Sequence, residues 1–323
     1  MSTEGPVDLK VNLGPLELSH PLINASGTLD LLETGEALGT RGGTVVRNPP
    51  VAAYVPKTVT LSPRQGNDPP RIVETSGGML NSIGLPNPGL DAFIATELPK
   101  LADLPCPVIL NIGGFSPVEY AEGAAMLRAA VDDRMGGDWT SRIGLELNIS
   151  CPNVHSGCMS IGTNPLESRA TVAAVRESWP GLLVVKLTPN TDRICEVAEA
   201  VEEAGADALS LVNTYKGLAL ERDSLRPYLG GMTGGLSGPA IKPLALWAVY
   251  QVYNAVEVPI VGIGGVECVQ DVLDHIACGA TAVAVGSAGL RDPWLAEKLA
   301  GQLADELQIR GVELGKVVGC AHL

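Results

Sequence analysis

The chain has 323 residues, a formal net charge of −14, 46% hydrophobic residues and only 4% aromatics. So acidic a chain excludes nucleic-acid or anionic-membrane binding as its main task, because both depend on positive charge, and a phosphate would have to be held by local groups. The seven cysteines, at 106, 151, 158, 195, 268, 278 and 320, contain no CxxC pair; no disulfide framework and no zinc, iron–sulfur or other metal site is expected, and a reduced cytoplasm fits best.

Taken in chain order, Met1 to Lys10 lack the basic start and apolar core of a signal peptide, and no uncharged apolar stretch is long enough to span a bilayer. Val11 to Leu18 reads as a β-hairpin lid. Apolar, β-rich runs then recur at Leu22–Ala25, Ala52–Val59, Pro107–Ile112, Ile143–Ile149, Leu182–Leu187, Ala208–Asn213, Pro259–Ile263 and Ala282–Val285. Between most of them lie amphipathic helical segments, among them Pro117–Val131, Asp192–Ala204, Pro239–Ala255 and Cys268–Ala277. Ser116 before Pro117, with Glu119 close by, has the form of a capped helix start with proline at its first position. Eight strand-like runs alternating with helices are the signature of a closed α/β fold, a (β/α)8 TIM barrel with a short N-terminal β-hairpin. An open doubly wound sheet is the competing arrangement. No repeat, low-complexity tract or linker divides the chain, so residues 1–323 read as one domain.

In such a barrel, chemistry collects where the strands end. Those ends carry Asn24-Ala-Ser-Gly-Thr28, Lys57-Thr58, Asn111-Ile-Gly-Gly114, Asn148-Ile-Ser-Cys-Pro-Asn153, Lys186-Leu-Thr-Pro-Asn190, Asn213-Thr214, Gly262-Ile-Gly-Gly265 and Gly286-Ser287. Buried amides and amines are tolerated only when paired, so a set of them at one end points to a ligand. Cys151 is the candidate for covalent or proton chemistry, since a thiol of ordinary pKa about 8.5 serves as nucleophile or base once its thiolate is favoured. On its own it is equally a half-buried cysteine beside a turn.

Gly264-Gly265 after the seventh run and Gly286-Ser287 after the eighth fall where barrels commonly bind a phosphate. Gly234-Gly-Leu-Ser-Gly238 could complete that cradle. Gly262-Ile-Gly-Gly265 lacks the third glycine and acidic ribose ligand of a dinucleotide fingerprint, and no Walker A sequence is present. A flavin mononucleotide held there by its phosphate would lay its ring within reach of Lys186 and Asn111, and a cation beside the ring favours its reduced, anionic form.

Two further segments, Lys57-Thr-Val-Thr with Pro63-Arg-Gln-Gly-Asn67, and Gly77-Gly-Met-Leu-Asn81-Ser-Ile-Gly-Leu85-Pro-Asn-Pro-Gly89, join Asn148 to Asn153 in a pattern that closely resembles the dihydroorotate dehydrogenases, over almost the whole chain. The resemblance implies a barrel binding one FMN and oxidising dihydroorotate to orotate in pyrimidine synthesis. Cys151, where the membrane-associated class 2 enzymes carry serine, would take a proton from C5 as hydride leaves C6 for flavin N5. The run Cys151 to Pro165 is similar to the class 1B pattern, as is Gly234 to Pro243. Class 1B implies electrons passing to NAD⁺ through a partner subunit carrying FAD and a 2Fe-2S cluster, in a homodimer or a heterotetramer with that partner.

Carried over residue by residue, Lys57, Asn81, Asn148, Asn213 and Thr214 would hold substrate, with backbone from Ser82, Ile83, Gly84 and Leu85 and a contact from Asn153. The FMN residues would be Ser26, Lys57, Thr58, Asn111, Asn148, Lys186, Val212, Gly238, Gly264, Gly265, Gly286 and Ser287. The loop from Pro152 to Asn164 would be a lid, with His155 and Cys158 on it in no catalytic duty. The stretch Leu38 to Pro50 departs from the family pattern; Lys57 rather than Arg47 is placed at the family's lysine because of the Thr-Val-Thr that follows. Tyr215 and Lys216 stand where smaller or aliphatic residues are common. The alternatives are a class 1A-like enzyme using fumarate, a dihydropyrimidine dehydrogenase relative, disfavoured by Asn153 where histidine is usual, and a non-catalytic flavin-binding subunit, disfavoured by the intact Cys151 and Lys186.

Overall fold

The computed structural model describes residues 7–32, 48–150 and 158–322. Eight parallel strands stand in chain order around one sheet: Leu22–Asn24, Val59–Thr60, Val108–Gly113, Ile143–Asn148, Leu183–Lys186, Ala208–Leu211, Ile260–Ile263 and Ala282–Val285. The last pairs back onto the first, with Val283 opposite Leu22 and Val285 opposite Asn24. Val51 to Val55 closes the ring between the first strand and the third: Ala52 N–H donates to Leu22 O (2.9 Å), Tyr54 N–H to Pro107 O (2.9 Å), and Ile109 N–H to Tyr54 O (2.9 Å). The side-chain amide of Asn24 clasps Val55 from both sides, donating to its carbonyl (2.7 Å) and accepting from its N–H (2.9 Å). Asn24 is therefore a barrel clasp, although it is one of the strand-end amides that point to a ligand in the sequence.

The second strand is the most irregular. Tyr54 stands opposite Val108 and Val59 opposite Ile112, so five residues on one side run against four on the other. One extra residue makes a bulge, and a bulge re-aims side chains; Pro56 contributes by lacking an N–H. Lys57 and Thr58, which in a regular strand would face opposite sides, both reach the barrel mouth.

Side chains alternate along the other strands. Leu110, Leu145, Leu147, Val185, Leu209 and Leu211 face outward into the layer shared with the helices. Ile109, Val184, Ala208, Val261, Ala282 and Ala284 face the barrel axis. That inner cluster also contains Leu13, Leu16 and Leu18, each fully buried. The hairpin Val11–Leu13 with Leu16–Leu18 is present as expected, but it plugs the end where the strands begin rather than covering the mouth. Small inward residues such as Ala208 and Ala282 leave space there that three leucines fill.

The helix starts follow their local chemistry. Ser116 Oγ accepts from Glu119 N–H (3.3 Å) and the Glu119 carboxylate accepts from Phe115 N–H (2.9 Å), capping Pro117–Met135. The expected Pro239–Ala255 helix is instead a 3-10 turn, Pro239–Ile241, followed by Lys242–Tyr253. A second sheet, antiparallel, joins Ile72–Thr75, Gly78–Asn81, Gly234–Ser237 and Tyr215–Gly217 above the barrel. Most of the Gly234 to Gly238 run is thus a strand, and only its far end, Ser237 and Gly238, lines the cavity at the barrel mouth.

Candidate active site

A cavity of about 250 Å³ opens at the C-terminal ends of the strands, walled on one side by the antiparallel sheet. Of the residues carried over for substrate, Lys57, Asn81, Ile83, Gly84, Leu85, Asn148, Asn213 and Thr214 line it. Of those carried over for the cofactor, Ser26, Lys57, Thr58, Asn148, Lys186, Val212, Gly238, Gly264, Gly265, Gly286 and Ser287 line it as well. They come from seven of the eight strand ends and from both covering segments, so only the closed barrel brings them together.

A hydrogen-bonded chain crosses the mouth. Asn213 Nδ2 donates to Ser150 Oγ (2.8 Å), Ser150 Oγ donates to Asn148 Oδ1 (2.9 Å), and Asn148 Nδ2 donates to Thr58 Oγ1 (3.1 Å). Thr58 lies 3.4 Å from Ser26 Oγ, which donates to Pro56 O (2.8 Å). Tyr120, fully buried, donates from its hydroxyl to Asn148 O (2.7 Å) and fixes that strand end from outside. The amides are therefore oriented before any ligand arrives, which spares binding the entropy of ordering them. Ser150 did not stand out in the sequence; its signal is the two-residue spacing from Asn148, which puts both on one face of the pleat.

Two amines enter the cavity. Lys186 is 6% exposed and forms no ion pair among the described residues. Lys57 lies across Gly27, whose φ of +75° suits glycine and whose position would bring any Cβ to 2.9 Å from Lys57 Cδ. Gly27 itself lines the cavity, and its place in the Asn24 to Thr28 motif is the signal for it.

The glycine end is equally built. Gly265 has φ +72°, and a Cβ there would stand 2.5 Å from Lys242 Cβ and 2.8 Å from its Cα. Behind it Lys242 donates to Asp271 (2.5 Å) and Asp274 (2.6 Å). Burial disfavours the Lys242 charge, yet the two carboxylates hold the ammonium above its usual range. The fully buried His275 donates from Nε2 to Gly264 O (3.0 Å), and burial pushes the imidazole below its usual range, which keeps it neutral. A turn held from behind in this way, open in front and without side chains, has the form of a cradle for a phosphate.

Several expectations land elsewhere. Ser82 is fully buried behind the wall, where its Oγ accepts from Asn67 Nδ2 (3.0 Å) and its N–H donates to Arg71 O (2.7 Å). Asn111 is not among the residues that line the cavity; it is buried, donating through Nδ2 to the buried Glu146 carboxylate, while its Oδ1 has no hydrogen-bond partner among the described residues. Cys151, Asn153, His155 and Arg47 lie outside the described residues. The second half of the expected lid is the helix Cys158–Thr163, followed by Asn164, whose side chain caps Pro165–Arg176. Among the described residues no cluster of three or more His, Cys, Asp or Glu could hold a metal ion, and no helix is long and apolar enough to cross a membrane.

A closed barrel whose polar strand ends gather around one cavity has the layout of a barrel enzyme. The family model described as dihydroorotate dehydrogenase matches residues 8–307. The chain belongs to the dihydroorotate dehydrogenase family, and it is an oxidoreductase of that family. It is 44% identical over 312 residues to the "Dihydroorotate dehydrogenase B (NAD(+)), catalytic subunit" of Trichlorobacter lovleyi, covering 96% of this chain and 97% of the relative. It is 45% identical over 305 residues to the catalytic subunit of the same name from Pelobacter propionicus, covering 94% and 95%. Among solved structures, the dihydroorotate dehydrogenase of Eimeria tenella in complex with ferulenol superposes with a TM-score of 0.76 at 23% identity, over 98% of this chain and 89% of that one, a likeness of fold.

Proposed function

We propose that the chain is the catalytic subunit of an NAD⁺-linked dihydroorotate dehydrogenase of class 1B, a single barrel domain that oxidises dihydroorotate to orotate with one FMN. The observation that carries this reading is one cavity lined together by the substrate amides, Lys186 and the glycine turns. The residues fit FMN on three counts: a glycine turn with open space at Gly286, where an added Cβ would meet nothing within 4 Å, a buried amine at Lys186, and the Oδ1 of Asn111, which has no partner among the described residues. When bound, FMN supplies the hydride acceptor.

Gly264, Gly265, Gly286, Ser287 and Gly238 hold the phosphate and ribityl end, and Ser26, Thr58, Asn111, Val212 and Lys186 hold the ring. The Lys186 charge offsets the negative charge that reduction brings to the site. Asn81, Asn148, Asn213, Thr214 and Lys57 bind dihydroorotate. Alternating C=O and N–H groups on its ring match amides that already hold one another in place, and an analogue lacking one group leaves a buried amide unpaired. Cys151 removes the C5 proton as hydride leaves C6; in the sequence it follows Ser150 directly, three residues after Asn148. Electrons leave through a partner subunit carrying FAD and a 2Fe-2S cluster, in keeping with the words "catalytic subunit" in the relatives' names.

The test is anaerobic mixing of the purified chain with dihydroorotate or dihydrouracil, then NAD⁺ or fumarate, with and without the electron-transfer subunit. Bleaching of the flavin by dihydroorotate alone and reoxidation by NAD⁺ only with the partner are expected. Bleaching by dihydrouracil, or reoxidation by fumarate, overturns the assignment.

A further inference from the structure

One polar knot lies inside the barrel beneath the mouth, in a layer whose neighbours are Ile109, Val184, Ala208 and Val261. Its centre is Glu146, 5% exposed, on the inward stripe of the strand Ile143–Asn148 and one inward position below Asn148. One carboxylate oxygen accepts from Ser210 Oγ (2.7 Å) and the other from Asn111 Nδ2. Both donors are neutral, and Glu146 forms no ion pair among the described residues. A buried carboxylate with only neutral donors is costly compared with the aliphatic side chains around it, so its position calls for a physical reason.

Orientation supplies one. An ionised carboxylate only accepts hydrogen bonds, so it turns the Asn111 nitrogen toward itself and leaves Oδ1 pointing away. That oxygen is buried and unpartnered. A donor that arrives with a ligand would satisfy it, and oxidised FMN has one ring N–H. Charge supplies a second reason. Ser210 stands opposite Lys186 in the strand register and Asn111 opposite Glu146, so Glu146 reaches beneath the strand that carries the lysine. In that low-dielectric interior its negative charge opposes the effect of Lys186 on anything bound at the mouth.

We propose that Glu146 is a positioning residue of the cofactor site: it fixes the Asn111 amide as an acceptor for the ring N–H and moderates the Lys186 charge, and so sets both the affinity for FMN and its midpoint potential. This rests on the FMN reading given above. Glu146→Gln keeps the shape but removes the charge and lets the Asn111 amide turn over. It should bind FMN about tenfold more weakly, the loss expected for one misaligned buried hydrogen bond, and bring the bound flavin to a more positive midpoint potential. The melting temperature of the FMN-free protein should stay unchanged. Ser210→Ala, which removes one of the two donors, should shift both quantities less; it decides the matter if Glu146→Gln fails to fold. Unchanged affinity and potential, or a fall in apoprotein stability alone, would show a purely structural knot and overturn the proposal. Failure of the wild-type chain to bind FMN would instead overturn the reading on which it rests.

Discussion

The two ends of the barrel are made by the same strands with the same alternation, yet they do opposite things. At the end where strands begin, Leu13, Leu16 and Leu18 of the hairpin fill the space above small inward residues, and the end is sealed with hydrocarbon. At the end where strands finish, the inward stripe turns to Asn148, Lys186 and Ser26, and the space is left open. Inward content thus changes from apolar to polar along the strands that lead to Asn148 and Lys186, with Glu146 and Ser210 marking the level of the change. Stability is concentrated at one end and chemistry at the other. Substitutions at the two ends should separate cleanly in what they alter.

The largest separation is expected at the mouth. Cys151→Ala should slow flavin reduction by dihydroorotate about 10²–10⁴-fold, the usual worth of a positioned general base, with FMN still bound and the melting temperature unchanged. Stopped-flow absorbance and calorimetry read the two quantities, and Cys151→Ser should retain a trace more activity at high pH. At the sealed end, Leu16→Ala should cost about 2–5 kcal/mol in urea unfolding, as a buried leucine truncation does, with KM for dihydroorotate unaltered. A rise in KM there would break the comparison.

Gly265→Ala probes the seam between scaffold and site. The backbone conformation is unfavourable for alanine, costing on the order of 1–3 kcal/mol, and the new methyl group meets Lys242. FMN affinity should fall about tenfold or more by fluorescence titration, alongside the loss of apoprotein stability that the strain imposes.

The smallest effect is a pH dependence from His275. Its folded pKa lies below the unfolded value of about 6.5 because burial favours the neutral ring. Below pH 6.5 the unfolded chain therefore binds more protons than the folded one. The stabilisation is complete above that pH and is lost as pH falls toward the folded value, at no more than about 1.4 kcal/mol per pH unit. Urea unfolding at pH 7.5 and 5.5 should show this loss, and His275→Gln should reduce it. Asp271, which burial would raise but Lys242 and two backbone N–H groups hold low, adds stability that is complete above the ordinary carboxylate range and is lost only as pH falls through and below it.

Much of this arrangement is legible in the sequence because barrel strands are local. Runs such as Ile143-Gly-Leu-Glu-Leu-Asn148 announce a strand buried on both faces, and Ser116-Pro117 with Glu119 announces a capped helix. Family motifs then supply most of the mouth, since residues at strand ends are also close in sequence to turns. What escaped has a common cause, pairing at a distance. Met79 meets Ser237 across the chain, so the antiparallel sheet over the mouth leaves no local periodic signal in strands of three or four residues. Glu146 is hidden inside an apolar run, although its two-residue offset from Asn148 already puts both on one face. The bulge at Lys57 is invisible because it depends on the register against Val108 and Ile112. The hairpin is legible as an element, but nothing in Val11 to Leu18 says which end of the barrel its leucines fill.

The claim that one end seals and the other binds is tested most directly by hydrogen exchange of the FMN-free chain, the FMN-bound chain and the FMN-bound chain with orotate. Added protection is predicted to appear with FMN at residues 264–266 and 286–288 and to extend with orotate to 79–85 and 213–214, while exchange in the hairpin at 11–18 stays the same in all three states. Protection of the hairpin with no change at the glycine turns would place the ligand at the sealed end and contradict the account.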